Sequence, residues 1–243
     1  MNEESVQCDE HGNRNAAFVC QHLMESKKPR GFNYGYAEDD PDRICPDAWC
    51  DACESIRLVA DGWTDEAAEA AGIKVVCEGC YEQLRQLHWR QNRAKLNRFL
   101  ARAVNALKKK QAELRQEFRI HEWDRWDWSQ ETGQLVFSHE GKKRVVADFV
   151  FVGSISTTSN TWLWSWANQS DLEPVKAAMR DVRRYGEEND FLKLASALWS
   201  ATEQDGWEMT AAAALLLDAA GAYRTPSDFG FTYMILRNVR AVQ

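Results

Sequence analysis

The chain has 243 residues, 44% of them apolar and 28% charged, with a formal net charge of −7. This describes a folded protein of one large or two modest domains and excludes a disordered chain. No run of about 20 predominantly apolar residues is present, which argues against a membrane-spanning helix, and the opening MNEESVQCDEHG lacks the basic and apolar regions of a secretory signal. A cytoplasmic location with no membrane partner is therefore expected, and seven cysteines in a reducing compartment point to metal ligation rather than disulfides.

Charge divides the chain into three segments. Residues 1–84 carry 18 acidic and 7 basic side chains, residues 85–119 carry 2 and 11, and residues 120–243 carry 17 and 12. The first segment, 1–82, holds every cysteine and many turn formers, but too little apolar material for a core of its own. A domain of that size usually needs a staple such as a metal ion. The second, 83–120, reads as a basic amphipathic connecting helix. Leu96, Leu100, Ala103, Leu107, Leu114 and Phe118 recur at spacings of three and four, with Gln111 in the one gap, and no Pro or Gly interrupts the run between Cys80 and His121. The third, 121–243, changes period. WDWSQETGQLVFSH reads as a hairpin, and KRVVADFVFVGSIS and TWLWSWAN as two further strands. LEPVKAAMRDVRRYGEE, DFLKLASALWSAT and WEMTAAAALLLDAAGAY follow as helices, and GFTYMILRNVRAV is the last strand. The expected class is α+β: a small zinc-stabilised N-terminal module, a long connecting helix, and an antiparallel sheet with helices packed on one face.

Four Cys/His pairs stand out in the first segment: Cys8 with His11, Cys20 with His22, Cys50 with Cys53, and Cys77 with Cys80. A two-residue gap lets both side chains of a tight turn face one tetrahedral ion, and a one-residue gap does so on an extended strand. Eight ligands make two structural zinc sites and leave no coordination position open for hydrolytic chemistry. The pairs can share ions in sequence order or in a cross-braced, interleaved order, and Cys45 is a ninth candidate. The zinc-deaminase signature is absent: no H-x-E occurs, and Pro46 does not adjoin Cys50.

The pattern CDEHGNRNAAFVCQHL, PDAWCDAC and VVCEGCY resembles a Cys/His-rich module of uncharacterised bacterial proteins. FVFVGSIS leading into TWLWSWAN resembles a separate bacterial domain of unknown function marked by that Trp-rich strand. The resemblance implies a bacterial cytosolic setting, supports the cysteines of PDAWCDAC and FVCQHL as ligands, and leaves Cys45 outside the motifs.

Three further features bear on partners. Arg90, Arg93 and Arg98 lie in the basic stretch and suit phosphate contacts, although acidic neighbours partly cancel their field. Trp162, Trp164 and Trp166 alternate, so on one strand they share a face, either as core or as an aromatic groove in which Trp162 and Trp166 dock a partner. Trp164, the central ring, is expected to be nearly fully buried. GSISTTSN is a hydroxyl-rich turn, and neither His139 nor any carboxylate has a catalytic partner in sequence. No P-loop, G-x-G-x-x-G or G-x-S-x-G is present. The expected function is a non-enzymatic, zinc-containing protein-interaction protein, in its most concrete form an immunity protein that covers a basic bacterial toxin. The alternatives are a nucleic-acid-associated regulator using the helix 85–119, and an enzyme with a pocket in the C-terminal domain.

Overall fold

The computed structural model describes residues 5–37, 40, 43–123, 125–129, 131–168 and 170–242. The protein is α+β and divides into two compact units, Met1–Gln91 and Asn92–Gln243.

The N-terminal unit runs β1 (Ser5–Cys8), β2 (Gly12–Cys20), α1 (Gln21–Glu25), β3 (Asn33–Gly35), β4 (Asp47–Trp49), α2 (Asp51–Val59), α3 (Asp65–Ala71), β5 (Ile73–Cys77) and α4 (Glu78–His88). Strand β2 is the spine. It pairs antiparallel with β1 through its first half and with β5 through its second, where Ala16 faces Cys77 and Cys20 faces Ile73. A single parallel bridge, Val19 to Ala48, brings in β4, which carries β3. The core gathers Val19, Leu23, Phe32, Trp49, Val76 and Tyr81.

Helix α4 ends at His88, so the uninterrupted helix expected from about 80 to 120 is two helices. Three contacts explain the break. Trp89 turns extended at φ −65°, ψ 134°, and its ring stacks on Tyr34 at 5.8 Å between centroids. Buried His88 donates from Nε2 to the Leu23 carbonyl at 2.8 Å and accepts the Arg30 N–H at Nδ1. Burial lowers its pKa, so the ring stays neutral and structural. The next helix, α5 (Arg93–Phe118), starts afresh at Asn92, whose side chain accepts the Lys95 N–H at 3.0 Å. Pro and Gly are absent from this junction, which is why the sequence does not betray it.

Helix α5 belongs entirely to the C-terminal unit. The unit continues with a 3-10 turn (Ile120–Glu122), β6 (Arg125–Ser129), β7 (Gln134–His139), β8 (Lys142–Ser156), β9 (Thr161–Trp164), α6 (Glu173–Glu188), α7 (Leu192–Ala195), β10 (Leu198–Ser200), α8 (Glu203–Leu216), β11 (Gly221–Ser227) and β12 (Gly230–Ala241). The seven strands form a curled antiparallel sheet in the order β10-β9-β8-β12-β11, with β7 on the first half of β8 and β6 beyond it. Leu96, Leu100, Ala103 and Leu114 of the α5 stripe are buried, Leu107 and Phe118 are partly buried, and Phe99, outside the stripe, is buried as well. Gln111 fills its gap for a reason: its side-chain oxygen accepts the Ala222 N–H at 3.0 Å and ties α5 to β11.

Three expected elements differ. DFLKLASALWSAT makes only the short α7 before turning into β10, because Trp199 pairs across from Trp162 on the edge of the sheet. Helix α8 begins earlier than Trp207, at a capping box of Thr202 and Asp205, and stops at Leu216, which leaves GAYRTPS to become β11 and pair with β12. Strand β9 ends at Trp164, so Trp166 sits in the following turn and not on the strand.

The tryptophans are core. Trp162 and Trp164 are both 0% exposed and meet edge to face at 5.3 Å, and Trp166 is 4% exposed beneath the Arg183 guanidinium at 4.7 Å. Gly153 of β8 makes room for them, since a Cβ there would lie 2.6 Å from the Trp162 ring. At these exposures the rings are interior packing rather than an open groove. Among the described residues, no helix is long and apolar enough to cross a membrane.

Candidate metal centres

Each Cys/His pair sits where a strand ends. Cys8 closes β1, and a tight turn through His11 returns the chain at Gly12, whose φ of +71° suits glycine. Cys20, Cys50 and Cys77 each occupy the residue just before a helix, with extended backbone. From there the partner falls on the first helical turn: His22 on α1, Cys53 on α2, Cys80 on α4. The one-residue gap of Cys20 and His22 is therefore bridged by a strand-to-helix corner and not by a continuous strand. Backbone N–H groups at these helix starts point at sulfur: Cys80 N–H donates to Cys77 Sγ and Cys50 N–H to Cys20 Sγ, both at 3.3 Å. A helix N-terminus favours the thiolate form that a metal needs.

The eight residues gather into two clusters that can hold two metal ions. Cys8, His11, Cys77 and Cys80 form the first, and Cys20, His22, Cys50 and Cys53 the second, with the donor atoms of each within 4.8 Å of one another. The pairing is nested, first pair with fourth and second with third. It is neither the sequence order nor the interleaved order. Strand β2 dictates this. Its eight steps at about 3.3 Å each separate the His11 end from the Cys20 end by roughly 26 Å, so Cys8 and Cys20 cannot share an ion. The antiparallel β5 carries Cys77 away from the Cys20 end, to Ala16, and the parallel bridge from Val19 to Ala48 of β4 brings Cys50 near the Cys20 end.

The distances fit a tetrahedral ion. Zinc with sulfur at about 2.3 Å and nitrogen at about 2.0 Å requires S–S edges near 3.8 Å and S–N edges near 3.5 Å. Observed are Cys8 Sγ to Cys80 Sγ at 3.8 Å and Cys50 Sγ to Cys53 Sγ at 3.7 Å. His11 Nδ1 lies 3.6, 3.4 and 3.6 Å from the sulfurs of Cys8, Cys77 and Cys80. His22 Nδ1 stands 3.2 Å from Cys53 Sγ, somewhat closer than an ideal edge. All seven cysteines are free thiols, so no disulfide competes for these sulfurs.

Two neighbours fit the first centre to its histidine. Gln83 Nε2 lies 3.2 Å from His11 Nε2; turning the amide over puts its oxygen at that place, where it accepts the Nε2–H and leaves the Nδ1 lone pair for a cation. Gly79, between the two cysteines of CEGC, lies so close that a Cβ would fall 2.5 Å from the His11 ring. The sequence shows the donors but gives no sign of Gln83.

Electrostatics separates the donors. Hydrogen bonding from the backbone of His11 and Glu10 lowers the Cys8 pKa to about 6. Burial, then the nearby sulfurs of Cys77 and Cys8, pushes Cys80 up to about 12. Burial also raises Cys20 and Cys53. A cation entering these sites therefore displaces protons. Cys45 is in neither cluster. It is buried in the core near Tyr81 and Arg85.

The remaining candidates lie elsewhere. Arg90 is exposed in the N-terminal unit and ion-paired with Asp51, whereas Arg93 and Arg98 are exposed on α5. The hydroxyls of the GSISTTSN turn bond locally: Thr157 Oγ1 donates to the Phe229 carbonyl at 3.1 Å, and Ser159 Oγ meets Thr161 Oγ1 at 2.7 Å. Asp148 is held by Asn238 and Arg240, and these bonds lower its pKa, which suits a structural carboxylate and not a proton shuttle. A groove of about 510 Å³ opens between α5 and α8, lined by Asn97, Leu100, Ala101, Val104, Asn105 and Glu208. It brings one carboxylate and no histidine or cysteine.

No curated protein and no solved structure matches the chain. One family, described as a family of unknown function (DUF6882), matches residues 97–239, a stretch inside the C-terminal unit that leaves both Cys/His clusters outside it. Because that match covers more than half of its length, the chain belongs to DUF6882.

Proposed function

We propose that this is a non-enzymatic protein-interaction protein of the bacterial cytoplasm whose N-terminal unit is built around two structural zinc ions. The observation that carries this reading is the pair of closed, four-donor Cys₃His sets with tetrahedral edges. Thiolate and imidazole donors favour zinc over the oxygen-seeking magnesium and calcium. Four protein donors per ion leave no position for a substrate or an activated water. The acidic balance of the segment 1–84 favours a basic partner, and an immunity protein covering the active site of a basic toxin is the most concrete form, since charge complementarity speeds such association. Native mass spectrometry with and without a chelator tests the metal, and two zinc ions per chain are expected. A pulldown from the native host, with its gene neighbours expressed, tests the partner. Recovery of no basic protein ends the immunity form.

A second reading follows from the exposed side of α5. Arg93, Arg98, Arg102 and Lys108 are exposed on that helix, while its apolar stripe is buried. Such a face suits nucleic-acid phosphates, with binding that weakens steeply as salt rises. Neutralising Arg93 and Arg98 should flatten the salt dependence. Arg90, already paired with Asp51, should contribute less. Absence of binding to a mixed DNA and RNA pool at low salt ends this reading.

A further inference from the structure

We propose that Cys8 and Cys80 form an oxidation site: a peroxide joins them in a disulfide and expels the ion of the first centre, while the second centre keeps its own. This rests on the zinc reading above.

The two centres use the same donors in different surroundings. In the second, Cys20, Cys50 and Cys53 are 0%, 1% and 1% exposed, so three sulfurs lie out of reach of a soluble oxidant. In the first, only Cys77 is comparably enclosed, at 2%, and Cys8, His11 and Cys80 are all partly open. Cys8 stands at the end of β1, which pairs with β2 alone at the margin of the sheet, and Cys80 stands on the first turn of α4. The two sulfurs come from positions 72 residues apart and lie 3.8 Å from each other. A movement of under about 2 Å brings them to the S–S bond length of about 2.05 Å. The short, marginal β1 is the element best able to make it. No equivalent freedom exists in the second centre, where Cys50 and Cys53 are fixed on one buried helix start and Cys20 ends the central strand.

The chemistry closes without further reagents. A thiolate of the open pair attacks one oxygen of hydrogen peroxide. The O–O bond breaks, hydroxide leaves, and the sulfur becomes a sulfenic acid. The second thiolate attacks that sulfur, the S–S bond forms, and a second hydroxide leaves. Two protons from solvent convert the two hydroxides to water. The two sulfurs together give up two electrons, and peroxide takes them. The ion, left with only His11 and Cys77, dissociates as the aqueous cation. Oxidation thereby unties β1 from its metal while cross-linking it to α4, and the Cys20 end of β2 remains clamped.

The test takes the full-length protein through native mass spectrometry before and after one equivalent of hydrogen peroxide. Released zinc is read with a chromogenic chelator, and the disulfide is mapped after alkylation of the remaining thiols. The expected result is loss of one ion of two, together with a Cys8–Cys80 disulfide. A protein that carries no zinc before peroxide overturns the zinc reading itself, and this proposal with it. A two-ion protein that loses both ions together, keeps both, or joins another pair of sulfurs overturns this proposal alone.

Discussion

The N-terminal unit buries few large aliphatic side chains, chiefly Val19, Leu23 and Val76 among aromatic rings, and the rest of its core cluster is cysteine and alanine. The C-terminal unit encloses Leu135, Phe137, Phe149, Phe151, Met234 and Leu236 in one cluster, with Trp162, Trp164 and Tyr233 buried besides. The first unit therefore has little hydrophobic burial to offset its chain entropy, and under the proposed zinc reading ligation makes up the difference, whereas the second is large enough to rely on packing. A structural feature placed in one unit should consequently fail under a different stress from its counterpart in the other.

The sharpest way to break that contrast is to remove metal. A strong chelator should unfold residues 5–91 and leave the C-terminal unit intact, because structural zinc supplies on the order of 10–16 kcal/mol of folding free energy in small modules. Hydrogen exchange resolved by peptide reads both units at once, and protection surviving in β2 and β5 would refute the dependence. The converse perturbation is Trp164→Ala. Filling of the core by this ring makes a loss of about 3–5 kcal/mol expected in the unfolding of the C-terminal unit, with zinc content unchanged.

Acidity should act on one unit only. Burial raises the pKa of Cys20 and Cys53, so without an ion both thiols hold protons that zinc must displace, and lowering the pH strengthens the competition. With at least these two protons released, affinity of the second centre should fall by about a hundredfold or more per pH unit between pH 8 and 6. Competition against a chelator of known affinity measures this, and a flat profile would show that the thiols are already ionised. Next in size is Gln83→Ala, which removes the amide that orients His11 and should weaken the first centre by about 10–100-fold without touching the second. The smallest effect expected is Gln111→Ala. Loss of the bond to the Ala222 N–H should cost about 1 kcal/mol in denaturant unfolding of the C-terminal unit and nothing in zinc binding.

Much of the candidate site was legible because its chemistry is local. Cysteine and histidine are soft donors wherever they fold, and a two-residue gap places both on one turn. Cys45 shows the limit. It is chemically the equal of the others, and only its position in the core beside Tyr81 and Arg85 removes it from both clusters. Gln83 was invisible because an orienting amide has no spacing rule. In the C-terminal unit the α5 stripe and the hairpin of β6 and β7 follow from periodicity, whereas β10 and β11 were hidden inside sequence that reads as helical. Their strand character comes from pairing with β9 and β12.

By itself, then, the sequence determined which side chains can ligate a metal, that they are concentrated in the first segment, and that the alternating tryptophans are able to fill a core. The tertiary structure decided what those local rules leave open. It decided which pairs come together into one cluster, because nine residues of β2 hold its two ends apart and the antiparallel β5 carries Cys77 away from the Cys20 end, to Ala16. It also decided where the long helix breaks, because Trp89 packs on Tyr34 and His88 is anchored to Leu23. These are contacts between residues far apart in the chain, and no spacing along the sequence encodes the distance between strands that have yet to pair.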